Sequence, residues 1–330
     1  MRNQVVVILP ALNLKVTRLL GTLLFLVYIN DLENICKIIK PTSFADDTNL
    51  LIATHKRENR LTEIQSELCD VVSYYKFNKV ALNIPKSHCM PFKKNNSSRF
   101  SLGSQEIQVS DFVKYLGIYV DRNLKFSEHV NYLLKKLGKH LGIISKLRHF
   151  VARHVIFKYY NFYIKPVIQY GILVYGGNSL KNLDSLSILQ RKMIRLCVFK
   201  KKSANVEQDF IRNNVLTVTQ LYFYELIKFV FRSLRNELPS DFLNNLFHVV
   251  NSRVTRAQTA GRFVVPIGRN NWDKFSLKTR GTKLLNFLID QNLYNRNLMS
   301  LSDQALIDEI HKYKDFLKLV PDSTLIQVLN

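Results

Sequence analysis

Apolar residues recur along this chain at spacings that name its elements. Leu61, Ile64, Leu68, Val71 and Tyr75 fall at steps of 3, 4, 3 and 4, so residues 56 to 76 are expected to form a helix with one apolar face. Just upstream, Thr42 to Ala53 is short and is interrupted by Asp46-Asp47, which predicts two strands joined by a tight turn. Val80 to Phe92 and Phe100 to Val120 carry further strand-like stretches, punctuated by Asn95-Asn96 and Gly103-Ser104. From residue 127 the pattern turns helical and predicts helices over 127 to 148, 152 to 169, 181 to 199 and 217 to 236, with a last one over 300 to 320. Pro166 lacks a backbone donor and is expected to end or kink the second of these. The stretch Tyr175 to Asn178 and the basic run 200 to 202 are the expected joints.

Two apolar runs precede these elements, Val5 to Leu9 and Leu19 to Ile29. The longer has 11 residues, against the roughly 20 that a membrane-spanning helix needs, so both are expected in a folded core as helix or strand.

Composition narrows the class. Of 330 residues, 47% are apolar and 11% aromatic, which excludes a disordered chain and gives enough material for about two domains. Lys and Arg number 48 against 25 Asp and Glu, a net charge of +23. Such an excess points to nucleic acid or another anionic surface as the partner. It is also local: residues 122 to 202 hold 17 Lys and Arg against two acids, Glu128 and Asp184, or +15. Tyr159, Tyr160, Phe162, Tyr163, Tyr170 and Tyr175 interleave with these cations, a mixture suited to unpaired bases and phosphates, or to helices whose aromatics are core and whose cations are solvated. The four cysteines, Cys36, Cys69, Cys89 and Cys197, form no Cys-x-x-Cys pair and read as reduced, buried thiols of an intracellular protein, cytoplasmic or nuclear. The run Lys200-Lys201-Lys202 fits a phosphate contact as well as a nuclear address.

The chemically loaded point is Ser43-Phe44-Ala45-Asp46-Asp47-Thr48. Adjacent carboxylates at a turn offer oxygen ligands of the kind Mg²⁺ prefers alongside phosphates, although Asp is also a common turn residue in its own right. The blocks around it carry a resemblance. Gly21 to Leu32, Phe44 to Thr48, Leu82-Asn83-Ile84-Pro85-Lys86-Ser87, and Lys114-Tyr115-Leu116-Gly117-Ile118 with Asp121 resemble, in order and spacing, reverse transcriptases of non-long-terminal-repeat retrotransposons. Further blocks resemble the C-terminal extension of jockey-like elements: Gln169 to Ile172, Gln190 to Arg195, Gln220 to Tyr222, Leu238-Pro239, Thr255-Arg256 and Phe275-Ser276 with Gly281 to Asn286.

That resemblance implies an α+β fold, with a partial polymerase palm sheet and its helices followed by a mostly α-helical basic thumb and C-terminal region. The expected divisions are 1–18 as an unrelated or decayed leader, 19–121 as partial palm with a primer-supporting hairpin, 122–203 as thumb and 204–330 as helical accessory region. It implies a metal-binding role for Asp46, with Asp47 as its less directly engaged neighbour. Lys86 would lie near the leaving pyrophosphate, or be an exposed turn lysine. Tyr115, Leu116 and Gly117 would support the primer end, Gly117 by letting a backbone approach closely. Lys135, Lys136, Lys139, Arg191 and Lys192 would contact nucleic acid. The implied cofactor is Mg²⁺ and the implied partners are an RNA template and a DNA primer.

The pattern is also broken. Two-metal nucleotidyl transfer needs carboxylates from separate strands, and residues 1 to 45 contain just two acids, Asp31 and Glu33, both inside the resembling helix end. Lys15-Val16-Thr17-Arg18 stands where the family places Pro-Gln-Gly-Ser. The first metal-binding strand and the fingers are therefore expected to be missing, leaving an N-terminally truncated palm with an exposed apolar edge. Two functions stay open: a reverse transcriptase fragment, and a catalytically inactive basic module that binds nucleic acid.

Overall fold

The computed structural model describes residues 2–10, 20–55, 60–92, 100–177, 180–240, 276–294 and 301–329, with 243, 245–247, 263, 265 and 266 between them. The expected turn at Asn95-Asn96, the start of the 56 to 76 helix, Asn178 and the Thr255-Arg256 block lie outside the described residues. The chain is mixed helix and sheet, compatible with α+β, and divides into two compact units, Met1–Glu128 and His129–Asn330.

In the first unit, strand β1 (Arg2–Pro10) leads to helices α1 (Leu20–Tyr28) and α2 (Leu32–Ile35). Strands β2 (Ile39–Phe44) and β3 (Asp47–His55) follow, then α3 (Leu61–Phe77) and β4 (His88–Phe92). Short strands complete it: β5 (Ser101–Leu102), β6 (Gln105–Glu106), β7 (Gln108–Val109), β8 (Phe112–Tyr115) and β9 (Ile118–Asp121). The main sheet runs β2-β3-β1-β4-β7, and the pairs β2–β3, β3–β1 and β1–β4 are antiparallel. With its helices this is the split β-α-β-β-α-β arrangement.

Within the stretch 1–18, residues 2–10 are a strand. They form the strand at the middle of the sheet, in register with both β3 and β4. The physical reason is the run Val5-Val6-Val7-Ile8-Leu9, rich in the β-branched residues that a doubly flanked strand takes. This strand carries no acid.

Helix α3 covers one face of the sheet. Its Ile64, Leu68, Val71, Val72 and Tyr75 join Leu50, Ile52 and Cys89 in a buried cluster, as the 3-and-4 spacing requires. Glu67 fixes the entry to β2 by accepting backbone N–H groups of Lys37, Ile38 and Ile39 at 2.9 to 3.1 Å. Exposed apolar side chains gather on α1, at Leu23, Leu24, Leu26, Val27 and Tyr28, and occur also on the edge strands β2 and β7, at Phe44 and Val109. Cys69 is exposed and Cys36 half-buried, while Cys89 and Cys197 are buried; burial pushes the Cys89 thiol up to about 11.

The second unit is helical among its described residues. It contains α4 (Ser127–Leu147, entered from the first unit), α5 (Arg153–Tyr159), a π-helical turn (Tyr160–Ile164), α6 (Lys165–Gln169), α7 (Ile172–Tyr175) and α8 (Leu180–Cys197). Then come α9 (Glu207–Arg212), α10 (Val218–Leu234), α11 (Leu277–Asp290), α12 (Asp303–Leu319) and α13 (Asp322–Leu329). Helix α10 is the hub: Leu221, Tyr222, Phe223, Leu226, Ile227, Val230 and Phe231 are all buried. A capping box starts it, Thr217 accepting from Gln220 N while the Gln220 side chain accepts from Thr217 N.

Residues 203 and 204 both lie in the compact unit His129–Asn330. Gln190 of α8 donates to Leu216 O at 2.9 Å and accepts from Val218 N at 3.0 Å, so α8 and the start of α10 are pinned together. Pro166 acts where expected but differently. It removes one donor, the turn before it widens so that Lys165 N reaches Tyr160 O, and the helix continues.

Candidate functional site

The Asp46-Asp47 turn is built by pairing Phe44 with Asp47, which leaves Ala45-Asp46 as a two-residue loop. Ala45 sits at φ 52°, a left-handed value that costs a residue with a Cβ about 1–2 kcal/mol. Behind the turn, Thr48 is buried and its Oγ1 bonds the Tyr75 hydroxyl at 2.7 Å, tying the start of β3 to α3. Alternation then aims Asp47, Asn49 and Leu51 to the sheet face away from α3, since Thr48, Leu50 and Ile52 are buried against the helix.

That second face holds the candidate site. Ile8 of β1 pairs with both Asn49 and His88, and Pro10 pairs with Asp47, so Asp47 and His88 lie on one face a row apart. The β8–β9 hairpin covers the next row, where Met90 packs with Val113, Tyr115 and Val120. A cavity of about 550 Å³ opens there, lined by Asp47, Lys86, His88, Ser110, Asp111, Lys114 and Tyr119 among others. His88 Nδ1 bonds Ser110 Oγ at 3.1 Å. Asp111 pairs with Arg122 at 3.1 Å.

Of the residues singled out in the sequence, Asp47 and Lys86 line this cavity and Asp46 does not. Partial burial and the charge of Asp46 both hold the Asp47 carboxyl above its usual range. Tyr115 is not a lining residue, yet the Asp47 charge, after burial, contributes to raising its phenol. Leu116 and Gly117 form the β8–β9 turn at φ 45° and 82°; both positive angles mark the turn type whose second residue is best a glycine, which is the reason for Gly117 here. Asp121 closes the same region, its carboxylate accepting Asn123 N and Lys125 N at 3.1 and 3.0 Å, and Phe126 N. His88, Ser110 and Asp111 were not singled out. Only the nearness of His88, at the start of β4, to Lys86 in the turn before it could have suggested the first.

Two metal ions do not fit these donors. Asp46 and Asp47 come from one turn, Asp111 is engaged by Arg122, and the residue opposite Asp47 on β1 is Pro10. Among the described residues no group of three His, Cys, Asp or Glu side chains is placed to hold an ion.

The second candidate surface is basic. On α4, Lys135, Lys136 and Lys139 are exposed while Val130, Leu133, Leu137 and Ile144 are buried. On α8, Arg191 and Lys192 are exposed beside buried Met193 and Ile194. Arg191 is partly engaged, 3.7 Å from Asp322 at the rim of a cavity of about 570 Å³. The aromatics sort cleanly: Tyr160 and Tyr175 are core, whereas Phe162, Tyr163 and Tyr170 are exposed by 73, 58 and 58%. Among the described residues no helix is long and apolar enough to cross a membrane.

No family model matches the chain. It is 27% identical to the RNA-directed DNA polymerase from mobile element jockey of Drosophila melanogaster over 192 residues, which are 53% of this chain and 20% of that protein. It is 29% identical to an uncharacterized protein of Caenorhabditis elegans over 83 residues, 25% of this chain and 42% of the relative. The chain therefore spans about a fifth and about two fifths of these relatives. The first similarity is partial, and it is to a reverse transcriptase of a mobile element.

Proposed function

We propose that this chain holds nucleic acid on a scaffold of reverse transcriptase origin, the RNA template and DNA primer of a non-long-terminal-repeat retrotransposon being the partners this origin implies. The observation that carries the reading is the open cationic surface of residues 122–202: Lys135, Lys136, Lys139, Lys146, Arg153, Lys158, Lys192, Lys201 and Lys202 are all exposed, in a segment with two acids. Cations so arranged displace the counterions of a phosphate backbone. The first unit then plays the part of a palm, with Tyr115, Leu116 and Gly117 as the hairpin beside the primer end, and the second unit combines thumb and accessory region.

Nucleotidyl transfer is the second reading. The juxtaposition of Asp47 and Lys86 in one cavity favours it, since a lysine there can stabilise the charge of a leaving pyrophosphate. Against it stands β1, whose residue opposite Asp47 is Pro10, so the carboxylates come from one side only.

Fluorescence anisotropy with a labelled RNA–DNA hybrid tests the first reading. Affinity should fall steeply with salt and survive Asp46→Ala; salt-insensitive binding, or none at low salt, overturns it. Primer extension with Mg²⁺ tests the second. The wild-type chain is expected to give no product, and product that Asp46→Ala or Asp47→Ala abolishes would reverse the order of the two readings.

A further inference from the structure

One feature of the second unit has no part in the phosphate contact described above. Tyr159 immediately precedes the π-helical turn Tyr160–Ile164 and Tyr163 lies within it, their ring centroids 4.9 Å apart and planes at 31°. His140 of α4 also contacts Tyr159, at 5.9 Å between centroids and 49°, its Nδ1 bonded to the Tyr159 hydroxyl at 2.7 Å. The three rings are thus linked through Tyr159, and Phe162 of the same turn is exposed.

Burial accounts for the inner members of this segment and not for the outer ones. Tyr160 and Ile164 are fully buried and anchor the turn; Phe162 and Tyr163 are open to solvent by 73 and 58%. Leaving two large rings in water forgoes roughly 1.5–3 kcal/mol for an apolar side chain of that size. The turn itself is a local departure from α-geometry next to Pro166, and such π-bulges collect at functional positions. Cations lie near in sequence: exposed Lys136 and Lys139 are on the same helix as His140, and exposed Lys158 precedes Tyr159. Lys136 is close enough that its charge, after burial, lowers the His140 pKa, which favours a neutral, stackable imidazole.

We infer that His140, Tyr159 and Tyr163, with Phe162, form a stacking platform for the unpaired bases of single-stranded nucleic acid. Aromatic faces take any base, and each stacked base contributes about 1–3 kcal/mol. A duplex cannot use the platform, because its bases are already stacked on one another. An apolar protein partner fits less well, since it would bring exposed Lys136, Lys139 and Lys158 to an interface where lysine is depleted. The inference rests on the reading that this unit binds nucleic acid, and adds which form of it the ring cluster takes.

The test uses the full chain with a fluorescein-labelled oligo(dT) 12-mer and a labelled duplex of equal length, read by anisotropy at several salt concentrations. The double variant Phe162→Ala/Tyr163→Ala should bind the single strand about 10- to 100-fold more weakly, with the salt slope and duplex affinity unchanged within about twofold. Tyr163→Phe should keep wild-type affinity, since it keeps the ring. Both substituted residues are exposed, so an unchanged circular dichroism melt is expected and separates lost stacking from lost fold. Equal losses for both ligands, or salt-dependent binding indifferent to the double variant, overturns the platform and leaves the phosphate reading standing. A wild-type chain that binds neither ligand at low salt overturns both.

Discussion

The two units of this chain divide charge and strain in opposite ways. Residues 1–128 carry 17 Lys and Arg against 12 acids, a net +5, whereas residues 129–330 carry 31 against 13, a net +18. The non-glycine residues at positive φ differ too. Among the described residues those of the first unit are Ala45, Lys79, Leu116, Leu124 and Phe126, and those of the second Phe199, Asn214, Asn236 and Asn292. Asparagine tolerates the left-handed region, while Ala, Leu and Phe do not. Strain therefore gathers in the unit with the paired carboxylates, two of its sites being the Asp46 turn and the β8–β9 turn, and net positive charge gathers in the other.

The largest test of this division is mechanical. Leu68 in α3 and Leu226 in α10 are both fully buried, and truncating either to alanine should cost about 2–5 kcal/mol. Calorimetry should show Leu68→Ala lowering only the transition of the first unit and Leu226→Ala only that of the second. A joint shift in both variants would break the comparison, because the units would then share one cooperative core.

Charge gives the next effect. Converting Lys135, Lys136 and Lys139 together to glutamate should weaken nucleic-acid binding about 100-fold near 100 mM salt, by loss of counterion release. The same reversal at Lys37, Lys40 and Lys114, exposed in the first unit, should cost only about threefold. Similar losses in both would show that the +18 is not where the ligand sits.

Acid should then separate the units by sign. His129 is 1% exposed and burial lowers its pKa to about 4. Its folded value lies below its unfolded one, so it destabilises the second unit as pH falls from the unfolded pKa near 6.5 towards 4, by on the order of 2 kcal/mol. Asp47 is raised, so its contribution is present in acid and is lost as pH rises through the folded value. Urea unfolding at pH 7 and pH 4.5 should show His129→Gln flattening the profile of the second unit, and Asp47→Asn raising the neutral-pH stability of the first. Profiles unchanged by both variants would remove this contrast.

What the sequence disclosed follows the range of the interactions. Helices were legible because a 3-and-4 spacing is written within a few turns: α4 over 127–147, against an expected 127 to 148, and α3, ending at 77 against 76, differ by a single residue at the ends that can be compared. The β2–β3 turn was legible for the same reason. The place of β1 was not, because its partners β3 and β4 lie some 40 to 90 residues away along the chain and Val5 to Leu9 alone reads equally as helix or strand. At the candidate site, Asp47 and Lys86 were visible through their motifs. His88, Ser110 and Asp111 belong to no motif and meet them only through sheet register and the path of the hairpin. Pro166 marked a break, but the wider turn that replaced it depends on the neighbours that hold Tyr160 and Ile164.

The smallest expected effect probes strain directly. Ala45 links Phe44 to Asp47 at φ 52°, where a Cβ costs about 1–2 kcal/mol and its removal relieves that. Glycine also loses more chain entropy on folding, about 0.5–1 kcal/mol. The difference is positive, so Ala45→Gly should stabilise the first unit by about 0.5–1 kcal/mol, read as a raised urea midpoint at constant m-value. Asn214 holds a similar angle, φ 55°, but already tolerates it, so Asn214→Gly should leave the second unit unchanged or slightly weaker. If Ala45→Gly is neutral while Asn214→Gly stabilises, strain does not distinguish the units. If the expected order holds, the Asp46-Asp47 turn is maintained against its own backbone preference by the β2–β3 pairing and the Thr48–Tyr75 bond behind it, and Tyr75→Phe in the Ala45→Gly background should cost less than it does alone.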